Sequence, residues 1–82
     1  MQLLERNTSL TLRQIEIVRG VAQGLNNVEI ADRLCVHEGT VSNHVHVIMN
    51  KIGLFRRVHL VIYALKEGLI SLDEIELEYW ID

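Results

Sequence analysis

Two stretches with helical spacing of apolar residues are separated by only three residues, Cys35-Val36-His37. Asn26 fits the N-cap of the first stretch, because Glu29 follows three residues later in a capping-box arrangement. The second stretch carries four apolar residues on one helical stripe, Val41, Val45, Ile48 and Ile52. A short helix, a tight turn and a longer helix form a helix-turn-helix. The sequence therefore predicts helices at 27–34 and 38–52, the second ending at Gly53.

Two further helices flank this pair. Thr11 fits the N-cap of a helix at 12–23, and Gly24 follows where a positive φ is expected. The other helix covers 57–67 and is apolar over most of its circumference, so it needs a partner beyond its own core. The segment Ser71-Leu72-Asp73-Glu74 has the pattern of another helix start, which leaves a fifth helix open.

The composition supports a helical fold. The chain has 82 residues, 49% hydrophobic, with no proline and five glycines, which favours one small, mostly helical domain. We expect an all-α four-helix bundle with a short acidic C-terminal extension. The predicted division is an N-terminal arm at 1–9, the helix-turn-helix domain at 10–70 and the extension at 71–82.

Several classes of protein are disfavoured by the sequence. The lone Cys35 cannot form an internal disulfide, and we expect it to be a buried thiol. The chain shows no signal-peptide pattern and no long apolar run, which predicts a cytoplasmic protein that does not enter a membrane. No catalytic set or phosphate-binding loop is present, so neither an enzyme nor a cofactor is expected. His44 and His46 do not share a helix face, which argues against a metal site.

The charge is unevenly distributed along the chain. Residues 1–70 hold all eight basic residues and six acidic ones, whereas 71–82 hold five acidic residues and no basic one. The net charge of −3 therefore divides into a body of +2 and an extension of −5. A weakly basic body is compatible with the binding of nucleic acid, whereas the acidic extension would repel it. One hypothesis is that the extension folds over a basic surface as an internal DNA mimic.

A series of ordered motifs resembles the LuxR/FixJ/NarL (GerE-type) helix-turn-helix DNA-binding domain. The matching segments are Leu10-Thr11-Leu12-Arg13-Gln14, Gly24-Leu25-Asn26-Asn27, Glu29-Ile30-Ala31, Leu34, Thr40-Val41-Ser42-Asn43-His44 and Lys51-Ile52-Gly53. The resemblance implies four helices and a bacterial DNA-binding transcription regulator. It also implies that helix 38–52 is the recognition helix in the major groove and that helix 57–67 forms a homodimer. The dimer residues would be Val58, Ile62 and Leu65.

The candidate DNA-binding residues follow from this resemblance and from their side-chain chemistry. They are Asn27, Val28, Thr40, Ser42, Asn43, His46, Lys51, Arg56 and Arg57. An asparagine such as Asn43 can pair with adenine through two hydrogen bonds. Thr40 and Ser42 can bond phosphates near a helix N-terminus. Arg57 matches a family arginine that often makes structural bonds.

The match departs from the family at positions that are commonly basic, which here are Val28, Gly39 and Ser42. Each lost phosphate contact weakens binding and its dependence on salt. The alternative hypothesis is therefore a LuxR-like protein-interaction module with weakened DNA binding that pairs with or inhibits another regulator. Partners considered beside DNA are a second copy, another regulator and RNA polymerase.

Overall fold

Four α-helices form the described part of the chain. The computed structural model describes residues 10–75, so the predicted arm at 1–9 and residues 76–82 of the extension lie outside the described residues. The helices are α1 (Leu12–Ala22), α2 (Asn27–Leu34), α3 (Glu38–Ile52) and α4 (Arg57–Lys66), followed by a 3-10 helix (Leu72–Glu74). The predicted all-α fold is confirmed, and the predicted ends of all four helices lie within one residue of the observed ones.

Capping side chains set where the first two helices begin. The backbone N–H of Gln14 donates to Thr11 Oγ1 over 3.1 Å, and the N–H of Thr11 donates to Gln14 Oε1 over 3.0 Å. Asn26 and Glu29 make the equivalent reciprocal pair at the start of α2, with both bonds 2.8 Å long. These bonds satisfy N–H groups that a helix start leaves without an intrahelical partner. The predicted caps at Thr11 and Asn26 are confirmed.

The core lies between α1 and the other three helices, all of which pack against it. The predicted stripe of α3 is wholly buried, and α4 contributes its Leu60 and Ala64. The buried apolar residues are Ile17, Val18, Val21, Ala22, Leu25, Ile30, Ala31, Val41, Val45, Ile48, Ile52, Leu60, Ala64 and Ile70. Burying one stripe of α3 leaves its opposite face toward solvent.

The turn between α2 and α3 differs from expectation at Cys35. The prediction of a buried thiol is wrong, because Cys35 is exposed. It is the C-cap of α2 and has a left-handed backbone, with φ of 59°. This conformation lets the N–H of Val36 donate to the Ala31 carbonyl over 3.0 Å and turns the chain toward α3.

The chain after α4 folds back onto α1. Ile70 is buried, and the guanidinium of Arg19 donates to the Leu69 carbonyl and to Glu74 Oε2, the latter over 2.9 Å. The helix-start pattern at Ser71 produces a three-residue 3-10 helix rather than an α-helix within the described range. Among residues 10–75, no helix has the length and apolar character needed to cross a membrane.

Candidate nucleic-acid interface

The solvent face of α3 lies opposite its buried stripe. Because a helix turns once every 3.6 residues, the side chains farthest from that stripe form a separate set. Its members are all exposed: Gly39, Asn43, His46, Val47 and Asn50. We call this set the outer face of α3. Thr40 and Ser42 are also exposed and lie at its two edges.

Sequence reasoning found Asn43 and His46 on this face but missed Val47. Its side chain is 51% exposed and takes no part in the core. The available signal was its position, two residues after Val45 and therefore off the buried stripe. The outer face thus combines amide, imidazole and apolar groups, which are types that contact base edges.

Positive charge is missing from most of α3. Between Glu38 and Asn50 the helix contains no lysine or arginine, and its only formally charged residue is the acidic Glu38. Gly39 and Ser42, at family positions that are commonly basic, are both exposed. A cation added at either position would therefore face solvent, whereas Gly39 has no side chain and Ser42 presents a hydroxyl group.

Lys51 supplies a cation at the far end of α3. Its side chain is exposed, and its Nζ lies 3.5 Å from Oε1 of Gln14, which is buried with 7% exposure. The same Gln14 oxygen accepts the N–H of Thr11. Lys51 therefore lies where the end of α3 meets the start of α1, on the flank of the outer face.

Arg56 and Arg57 are adjacent in sequence but lie in different environments. Arg56 is exposed at the N-cap of α4. Arg57 is partly buried, and its guanidinium donates to the Leu25 carbonyl over 3.1 Å. Burial lowers the pKa of Arg57 from its usual value by disfavouring the charged form. Arg57 therefore links α4 to the loop after α1 by a hydrogen bond, whereas the side chain of Arg56 faces solvent.

The start of α2 presents two further predicted residues. Val28 is 58% exposed, at a position where the family commonly has a cation. Asn27 is partly buried, and its Oδ1 has no hydrogen-bond partner within the described residues. Val28 is thus placed for contact with a ligand, while the oxygen of Asn27 is turned away from solvent.

The exposed face of α4 is apolar at the predicted dimer residues. Val58 is 56% exposed and Ile62 is 49% exposed. Leu65 is only partly buried and packs against the core. Phe55, in the loop before α4, is 91% exposed and was not among the predicted residues. Val58 and Ile62 therefore form an exposed apolar surface on the side of α4 opposite its buried Leu60.

Within residues 10–75, His, Cys, Asp and Glu side chains do not come together in groups of three or more that could hold a metal ion.

Comparison with known proteins decides the family. A family model described as "Bacterial regulatory proteins, luxR family" (GerE) matches residues 8–64. This chain belongs to the LuxR family of bacterial regulatory proteins. The LuxR-type helix-turn-helix predicted from the sequence is confirmed.

Curated relatives of this LuxR-family chain are regulators more than twice as long. Transcriptional regulatory protein LnrK of Bacillus subtilis is 44% identical over 59 residues, which is 72% of this chain and 27% of LnrK. The uncharacterized transcriptional regulatory protein YxjL of the same organism is 38% identical over 61 residues, 74% of this chain and 28% of YxjL. Oxygen regulatory protein NreC of Staphylococcus aureus is 44% identical over 62 residues, 76% of this chain and 29% of NreC. The chain therefore spans less than a third of these relatives.

Proposed function

We propose that this LuxR-family chain binds double-stranded DNA by laying α3 in the major groove and that it regulates transcription in the bacterial cytoplasm as a homodimer. The observation that carries the proposal is the division of α3 into two faces. One face is a wholly buried apolar stripe, and the other is exposed and rich in amide and imidazole groups. A recognition helix in a helix-turn-helix needs this division, because one side holds it to the domain and the other meets base edges.

The exposed residues allow a division of roles. Asn43 and His46 lie on the outer face and would contact bases. Thr40 and Ser42, in the first turns of α3, would bond phosphates with help from the helix N-terminus. Lys51 and Arg56 would contribute the ionic contacts. The exposed Val28 leaves the start of α2 without a charged phosphate contact.

The apolar surface of α4 supports the homodimer. Val58 and Ile62 are both about half exposed, on the side of α4 opposite the buried Leu60. Covering such side chains removes apolar area from water and stabilises an association. A second copy presenting the same surface gives a two-fold interface. Leu65, packed against the core, would lie at its edge.

A salt titration with a pool of DNA fragments tests DNA binding. Binding with a steep dependence on salt is expected, and Lys51→Gln should lower the slope of log K against log salt by about 0.9 per monomer. Lys66→Gln is the matched control, because Lys66 is an exposed lysine at the end of α4. Equal salt slopes for Lys51→Gln and Lys66→Gln would show that Lys51 does not contact DNA.

The dimer has its own test. Ile62→Asp should shift the protein toward monomer in sedimentation at micromolar concentration while its helix content stays unchanged, because Ile62 is 49% exposed. Leu12→Asp is the control, since Leu12 is an exposed aliphatic residue at the start of α1, with 81% exposure. A parent protein that sediments as a monomer would contradict the homodimer.

The second candidate is a LuxR-like module that binds another regulator in place of DNA. The absence of lysine and arginine from Glu38 to Asn50 favours it. Recovery of another regulator or RNA polymerase, together with no DNA binding even at about 50 mM salt, would support this candidate over the first. DNA binding that weakens with salt would reject it.

A further inference from the structure

Asn43 and Val47 are neighbours on the outer face of α3. They are four residues apart, so they lie one above the other on the same side of the helix. Both are exposed, Val47 by 51%. With a rise of 1.5 Å per residue, their positions differ by about 6 Å along the helix axis. A polar amide and an aliphatic group therefore face the same direction.

One of the two side chains suits adenine and the other suits thymine. In the major groove, adenine offers N7 as an acceptor and its N6 amino group as a donor, and an asparagine amide can bond both. Thymine offers a C5-methyl group that contacts apolar side chains. Val47, which contributes nothing to the core, supplies such a side chain. The pair thus has one group suited to adenine and one suited to thymine.

The cations that most often read guanine are missing from most of the same helix. The commonest specific contact to guanine is a lysine or arginine that bonds its O6 and N7. No such residue occurs between Glu38 and Asn50. Lys51 comes only in the last turn of α3, and its Nζ lies within 3.5 Å of Gln14 at the start of α1. A cation is therefore absent from the part of α3 that would enter the groove most deeply.

We infer that this domain selects A·T-containing operator half-sites, with Asn43 bonding an adenine and Val47 contacting the methyl group of a thymine in the same half-site. The two contacts fall within one half-site because the side chains are only about 6 Å apart along the helix axis. The inference rests on the proposed placement of α3 in the major groove. It adds the sequence class that the groove-facing residues select and a role for Val47.

Modified bases test each contact separately. After selection of a binding site from random DNA, each thymine is replaced by deoxyuridine, which lacks only the methyl group, and each adenine by 7-deazaadenine, which lacks the N7 acceptor. One thymine replacement should weaken binding about fourfold, the value of one buried methyl group. One adenine replacement should weaken it about tenfold through the lost hydrogen bond.

Variants assign these losses to residues. Val47→Ala, which shortens the apolar side chain, should reduce the preference for thymine over uracil, and Asn43→Ala should bind the adenine and 7-deazaadenine sites equally. Asn50→Ala, which changes another exposed residue of the outer face, should keep both sensitivities. Helix content measured by circular dichroism checks folding, which is expected to persist because all three side chains are exposed and alanine favours helix.

Two different failures can be told apart. A selected site centred on guanine, or affinity unchanged by every uracil replacement while binding remains dependent on salt, would overturn the inference and leave DNA binding standing. A complete lack of DNA binding at low salt would overturn the proposed function, and the inference with it.

Discussion

Gly20 of α1 lies so close to Ile30 of α2 that a Cβ atom on the glycine would be 2.9 Å from Ile30 Cγ1. Ile30 is fully enclosed, with 2% exposure. The missing side chain at Gly20 therefore sets the distance between the first helix and the helix-turn-helix. Tightly packed interiors tolerate added atoms poorly.

Gly20→Ala should destabilise the domain by about 1–3 kcal/mol, because the overpacking exceeds the gain in helix propensity. Urea unfolding followed by circular dichroism measures this. Gly39→Ala is the control, since nothing lies within 4 Å of a Cβ at that helical glycine. It should raise the free energy of unfolding by about 0.5–1 kcal/mol. Equal effects of the two substitutions would contradict the close packing.

Gly39→Lys should strengthen DNA binding, because its side chain extends into open space at an exposed position of α3. One new phosphate contact should steepen the salt slope by about 0.9 per monomer. Fluorescence anisotropy with a DNA fragment at several salt concentrations measures the slope. Gly39→Ala separates this effect from helix propensity, and a slope equal to that of Gly39→Ala would show that position 39 does not face DNA.

Cys35→Gly should stabilise the domain by up to about 1 kcal/mol. A residue with a Cβ is strained at a φ of 59°, whereas glycine is not. The greater conformational entropy of glycine in the unfolded chain offsets part of this stabilisation. Thermal unfolding of Cys35→Gly and Cys35→Ala makes the comparison, with little change expected for alanine. The exposed thiol should also react with a thiol reagent in the folded protein; a thiol that reacts only after unfolding would contradict its exposure.

Glu74 should make the stability depend on pH in the acid range. The hydrogen bond from Arg19, followed by that from the Ser71 N–H, lowers the pKa of Glu74 below its usual 4.5. A lowered native pKa means that this stabilisation is present above pH 4.5 and is lost as the pH falls through the native value. Glu74→Gln should therefore unfold more easily than the parent at neutral pH, with the difference vanishing in acid. Asp73→Asn makes the same charge change and should leave the acid dependence in place.

Local patterns predicted the helices, because the signals that set them are local. Asn26 with Glu29, and the stripe from Val41 to Ile52, each fall within one helix, so period and capping chemistry suffice. Cys35 was misjudged since its apolar neighbours suggested burial, while the exposure of a turn residue depends on how the helices are oriented. Val47 was missed because the candidate residues on this helix were chosen among its polar side chains.

Contacts between distant residues could not be read from local patterns. Arg19 meets Leu69 and Glu74, which follow it by 50 and 55 residues, and Arg57 bonds a carbonyl 32 residues earlier. The sequence placed Arg56 and Arg57 together among the DNA-binding candidates, although Arg57 matches a family arginine that often makes structural bonds. Only the packed fold, which brings the start of α4 beside the loop after α1, gives the two arginines different environments.

The hydrogen bonds that Arg19 donates to Leu69 and Glu74 also matter for building chimaeras from this domain. A graft that ends at residue 64, where the family match stops, would omit Ile70 and both acceptors of Arg19. It would remove a buried residue from the core and leave the guanidinium of Arg19 without its acceptors. A transferable unit of this chain therefore has to carry the nine residues after α4 that the structure describes, from Glu67 through Ile75.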